Sequence, residues 1–203
     1  MTLSHTLVRE MDALVQLQGH ANIVQLEGLF RDKYDSSKIY MVFELMEGGD
    51  LRKFYRERYA DGMPIEMVIS FTEQLLKAVA HIHSSGYIHR DIKTRNIVLG
   101  DRGSRLRSDG HMSSYDRQLK ICDLGLSRVM THPPKRMSKE IATLHWRAPE
   151  VILDNLSYSY AVDMWSVGVV IYEMLTGTVP FRGTTEIEYL LAIFRKKGYP
   201  TDT

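Results

Sequence analysis

A single cysteine, Cys122, in 203 residues excludes a disulfide within the chain and suits a reducing compartment, so the cytosol or nucleus is the expected location. An excess of one charge sign is also missing. The 26 basic and 25 acidic residues leave a net charge of +1, which provides no bulk attraction to nucleic acid or to an anionic membrane. Any electrostatic function must therefore be local. No segment stays apolar and uncharged long enough to cross a bilayer, and Arg9, Glu10 and Asp12 break the apolar pattern of residues 1 to 18, so neither a span nor a signal peptide is readable. Internal repeats and low-complexity tails are lacking too. What remains, 44% apolar and 25% charged residues, is ordinary globular composition with enough chain for one or two packed cores.

Leu3, Leu7, Met11, Leu14 and Leu17 recur at helical spacing and predict an amphipathic helix ending near Gly19. Such a helix needs a partner surface. The short β-branched or aromatic runs Ile23 to Leu26 and Ile39 to Phe43, separated by the polar stretch Arg31 to Lys38, predict two strands of one sheet. After the punctuation of Gly48 and Gly49, Pro64 starts a long helical pattern through Met67, Phe71, Leu75, Leu76, Val79 and Ile82 that stops before Gly86. The remainder reads as mostly helical, with helices at about Ala161 to Leu175 and Ile187 to Lys196. The Gly-, Ser-, Asp- and Arg-rich stretch Gly100 to Gln118 reads as an exposed loop, with Arg102, Arg105, Arg107 and Arg117 solvated. The pattern is α+β: a small sheet-bearing part, then a larger helical part, with the border near Gly48-Gly49.

The chemistry concentrates in three short motifs. His89-Arg90-Asp91-Ile92-Lys93-Thr94-Arg95-Asn96 is followed by Asp123-Leu124-Gly125 and then by Ala148-Pro149-Glu150. Asp91 can accept a proton from a hydroxyl, Lys93 can reach a phosphate, and Asn96 with Asp123 offers the hard oxygen ligands that magnesium demands. Neither ligand alone makes a cage, so nucleotide phosphates would complete the shell. Ahead of these motifs the sequence has neither a Gly-x-Gly-x-x-Gly loop nor a Val-Ala-Ile-Lys-type strand. His81 and His83, two apart on a helix, point to different faces and make a poor metal pair.

In this order the three motifs resemble those of eukaryotic protein kinases. The resemblance implies a two-lobe fold, with residues 1 to 47 as a remnant of the small lobe and hinge and 48 to 203 as an incomplete large lobe. It also implies ATP and Mg2+ as cofactors, catalytic roles for Asp91, Lys93, Asn96, Asp123 and Thr143, and metal ligation by Asn96 and Asp123. Lys93 favours the serine/threonine class. Lys38 to Leu45 resembles the strand entering the hinge, which puts Phe43 at the back of the adenine site, the backbone of Glu44, Leu45 and Met46 facing the base, and Val98 beneath it.

Thr6 to Glu10 followed by His20 to Val24 narrows the resemblance to cyclin-dependent, proline-directed kinases. Glu10 becomes the partner of a strand lysine that this sequence does not carry, and the 3–18 helix becomes the place for a cyclin-like activator. Between Asp123 and Glu150 the spacing puts Ser138 at the activating phosphosite, with Arg9, Arg90 and Arg128 at the positions that converge on its phosphate. Arg147 is typical of the group whose protein substrates carry a Ser/Thr-Pro site, although His145-Trp146 replaces the usual Trp-Tyr before it. Leu124 stands for the commoner phenylalanine and would stack with His89, Leu14 and Leu26. Asp163 matches the residue that braces the catalytic-loop backbone.

The resemblance starts at the regulatory helix and stops before the last helices of the large lobe, which leaves Glu150 without its family partner. Two expectations of different class follow. The chain is part of a competent serine/threonine kinase, or it is a pseudokinase-like module that binds protein without efficient transfer.

Overall fold

The computed structural model describes residues 5–35, 38–101, 117–130, 143–154 and 159–199; the side chains of 5–9 and 101 are not included. Helix α1, His5–Gln16, buries Ala13 and Leu14 on one face, leaves Val15 on the other, and turns off through Gly19 at φ +90°. Strands β1, Leu26–Arg31, and β2, Ile39–Phe43, form an antiparallel pair with a bulge between Leu26 and Gly28. The expected first strand at Ile23 to Leu26 is thus displaced. Asn22, Ile23 and Val24 are buried against the larger part: Ile23 bridges Ile121, and Val24 N donates to Ile121 O at 3.0 Å. The displaced strand hides in sequence because Glu27 and Gly28 interrupt its apolar pattern.

Helix α2, Leu51–Arg58, was not read from the sequence, although Leu51, Phe54 and Tyr55 fall on one buried face and Asp50 caps it by accepting from Lys53 N at 2.8 Å. Helix α3, Ile65–Ser84, follows Pro64 as expected and carries Met67, Phe71, Leu75, Ala78 and Ile82 with no exposed surface. Leu76 turns outward instead, 39% exposed. The segment after α3 corrects the mostly helical expectation. It holds strands β3, Tyr87–Ile88, β4, Ile97–Asp101, β5, Arg117–Ile121, and β6, Arg128–Val129, paired as β3 with β6 and β4 with β5. Gly100 pairs with Gln118 and Asp101 with Arg117, so both ends of the expected loop are strand, and Arg117 lies half-buried in it. Arg102, Arg105 and Arg107 lie outside the described residues.

The short helix α4, Pro149–Ile152, precedes α5, Ala161–Thr176, and α6, Glu186–Lys197. Helix α5 ends at Gly177, whose φ of +69° and approach to Ala60 leave no room for a side chain: a Cβ would sit 1.9 Å from Ala60 O. The main apolar core runs from α1 through α2, α3 and the β4–β5 hairpin to α5, joining Leu14, Leu17 and Leu124 to Phe71, Ile121 and Val170, with Leu26 packed at its edge, and smaller clusters gather around Ile88 and Val151 and around Phe181 and Tyr189. The fold is α+β.

Candidate active site

The loop after β3 is shaped by one buried carboxylate. Asp163, on α5 and without exposed surface, accepts from His89 N at 2.9 Å and from Arg90 N at 2.8 Å, and meets His83 Nε2 at 2.8 Å. Those bonds hold Arg90 at φ +71°, a backbone state that a non-glycine residue seldom adopts, and Asp123 across the site is in the same region at φ +64°. His89 Nδ1 accepts from Asp91 N at 3.2 Å while Nε2 reaches Cys122 O at 3.3 Å, which ties the first motif to the second. His83 is thus occupied with Asp163, and His81 stacks on His20 with ring centroids 4.7 Å apart.

The turn Thr94–Asn96 brings three expected residues together around Asp91, itself 5% exposed. Its Oδ2 accepts from Lys93 Nζ at 2.6 Å and from Asn96 Nδ2 at 2.9 Å, and Lys93 Nζ also donates to Thr143 Oγ1 at 3.1 Å. Asn96 donates through nitrogen, which leaves its carbonyl oxygen as a hard donor. Asp123 is exposed, with Oδ1 accepting weakly from Gly125 N at 3.3 Å. A carboxylate and an amide oxygen suit Mg2+ chemically, and among the described residues no cluster of three or more His, Cys, Asp or Glu could hold a metal alone. Further oxygens would have to come with the ligand.

A cavity of about 440 Å³ opens beside Asp123, a size suited to a small organic ligand. Phe43, Glu44, Met46 and Val98 line it, as do Glu10 and Asp123. Leu45 does not: its side chain is 82% exposed, leaving only its backbone for the role the resemblance implies. The Glu44 side chain turns away from any base, because Lys120 Nζ grips both its oxygens at 2.6 and 2.7 Å and Gln25 N donates to Oε1 at 2.7 Å. Burial and the Asp123 charge push the Glu10 carboxyl up. Cys122, also in the wall, is pushed up to about 11 by burial and then by Asp123 and Asp50, so it is an inert thiol.

A second buried carboxylate escaped sequence reading. Glu173, near the other end of α5, accepts from Tyr55 Oη and Trp146 Nε1, each at 2.9 Å, and from Thr94 Oγ1 at 3.2 Å. Desolvation pushes its carboxyl up against those three donors and the nearby Arg52, and the same burial, reinforced by Glu173, pushes Tyr55 up to about 12. An acid in the middle of the apolar run Val167 to Leu175 was the available signal. Lys120 carried none, since its partner is 76 residues away.

Of the expected regulatory residues, Arg90 is 4% exposed with Nε donating to Leu126 O at 2.7 Å, and Arg128 pairs in register with Ile88. Ser138 lies outside the described residues, as does the Arg9 side chain. Arg147 forms an ion pair with Glu186 at the start of α6.

A family model described as the protein kinase domain matches residues 2–199. The chain is 37% identical to Cyclin-dependent kinase B2-1 of Arabidopsis thaliana over 203 residues, covering 97% of this chain and 60% of that protein. It also superposes on a chain in the structure of the CAK complex from Chaetomium thermophilum bound to ATP-gamma-S, with a TM-score of 0.84 and 30% identity, over 98% of this chain and 57% of that one. It therefore spans somewhat under two thirds of either relative.

Proposed function

The chain belongs to the protein kinase family, and from that membership we propose that it carries the transfer centre of a serine/threonine kinase that moves the γ-phosphoryl group of ATP to a protein hydroxyl. The supporting observation is the Asp91 carboxylate. Among the described residues both of its side-chain hydrogen bonds go to Oδ2, leaving Oδ1 to receive a hydroxyl proton, while Lys93 bridges that carboxylate to Thr143. Bound magnesium-ATP supplies the phosphoryl group; Asn96 and Asp123 are the residues that would hold the metal, and Phe43 and Val98 would flank the base. By resemblance, Arg147 supports a preference for Ser/Thr-Pro sites, α1 supports a cyclin-like activator, and phosphorylation of Ser138 supports regulation through Arg9, Arg90 and Arg128. An intracellular location fits this chemistry.

The test is transfer from radiolabelled ATP to serine peptides with proline or alanine after the acceptor, run beside a magnesium-ATP thermal shift on the 203-residue chain. Asp91→Asn should lower transfer by about 10²- to 10⁴-fold and leave the shift in place. Unchanged transfer in that variant would overturn the assignment. A second reading, a protein-binding module without efficient transfer, draws on the meeting of Glu10 with Asp123 in the cavity. A clear thermal shift with no transfer by the unaltered chain would favour it.

A further inference from the structure

A second cleft, of about 380 Å³, lies between α2 and the Thr94–Asn96 turn, which pack together. Its walls carry Arg52, Lys53, Arg56 and Arg95 against Asp50 and Glu57. The acids do not cancel the bases. Asp50 is engaged as the α2 cap, and among the described residues none of the four cations lies in an ion pair within 4 Å. Such a concentration of positive charge is conspicuous in a chain whose net charge is +1.

The cleft is joined to the transfer centre at two places. Arg95 is two residues from Lys93 and adjacent to Asn96, on the turn that organises Asp91. Arg52 lies over the Trp146 ring at 6.0 Å, three residues beyond Thr143, and its buried Nε has no hydrogen-bond partner among the described residues. A peptide presenting a hydroxyl to Asp91 would pass this cleft with its neighbouring side chains. Guanidinium groups fit carboxylates and phosphates in paired hydrogen bonds, and Arg56 and Arg95 are exposed for that contact.

We propose that the cleft between α2 and the Thr94–Asn96 turn selects substrate segments bearing an anionic side chain, a carboxylate or a phosphate, close to the acceptor hydroxyl. The proposal rests on the kinase reading and adds the substrate class. It is tested by fluorescence anisotropy on the 203-residue chain with three labelled peptides of equal length, the acceptor serine flanked by alanine, glutamate or phosphoserine. The anionic peptides should bind more tightly by about fivefold for each arginine engaged, and rising salt should erase the gain. Phosphoserine bound well above glutamate identifies phosphate as the preferred source; equal binding identifies charge alone. The exposed pair of changes Arg56→Gln and Arg95→Gln should remove the preference while leaving the alanine peptide and the magnesium-ATP thermal shift unaltered. Equal binding of all three peptides, or a preference that survives in the variant, overturns the proposal. Since binding is read without nucleotide, a thermal shift without peptide preference defeats the cleft and spares the kinase reading, and the reverse result does the opposite.

Discussion

The His89–Asn96 loop and the β1–β2 sheet are held in opposite ways. His89, Arg90, Asp91, Thr94 and Asn96 are each at most 7% exposed; His89, Arg90 and Thr94 are tied to carboxylates on a distant helix, and Asp91 and Asn96 to each other. In the sheet, Phe30 is 58% exposed, Tyr40 51% and Val42 41%, and backbone pairing does most of the holding. Buried polar groups depend on each partner, because a donor or acceptor left dry loses its solvation with nothing in return. An open apolar face has little to lose. The loop should therefore be brittle to substitution and the sheet tolerant.

The harshest test of that contrast is Asp163→Ala, which strips the His89 and Arg90 amides and the His83 ring of one shared acceptor. A loss of about 3–5 kcal/mol in chemical denaturation is expected, large enough that many preparations would be partly unfolded; a loss below 1 kcal/mol would mean that the loop does not depend on this carboxylate.

Glu173→Gln is milder and sharpens the comparison through pH. An amide cannot accept from Tyr55, Trp146 and Thr94 as a carboxylate does, so a loss of about 1–2 kcal/mol is expected at neutral pH. The Glu173 carboxyl is raised in the folded state, so the fold holds its proton more tightly than the unfolded chain does. Its contribution is complete below the ordinary glutamate value near 4.5 and declines as pH rises through the raised value. Thermal melts across that window should fall less steeply in Glu173→Gln than in the unaltered chain, with Glu10 adding to the fall that remains and the lowered His20 opposing it. Equal slopes would remove Glu173 from the account.

At the small end stands Phe30→Ser in β1. Its ring is mostly in water, so a change within about 0.5 kcal/mol is expected by denaturant titration. A loss of 2 kcal/mol would show that the sheet is buttressed as strongly as the loop.

The same contrast separates what was legible in the sequence from what was not. Helices α3 and α5 were readable because their buried positions repeat every three or four residues, and Asp91, Lys93 and Asn96 were readable because the motif places them within six residues. Asp163 was found through resemblance alone. Glu173 and the Lys120–Glu44 pair were missed because each acts across long stretches of chain, from 27 to 118 residues for the contacts concerned. Strand β1 was missed for a local reason, with Gly28 in its middle and little alternation of burial. Helix α2 was legible and overlooked, its three buried residues being outnumbered by charges.

Asp163 and Glu173 are ten residues apart on the same helix, α5, a separation of about 15 Å along the axis. One fastening would leave the loop free to swivel about it. Two, gripping His89 and Arg90 at one end and Thr94 at the other, fix its heading as well as its place, so the loop and α5 travel as one rigid body and any shift of the helix would carry Asp91 with it.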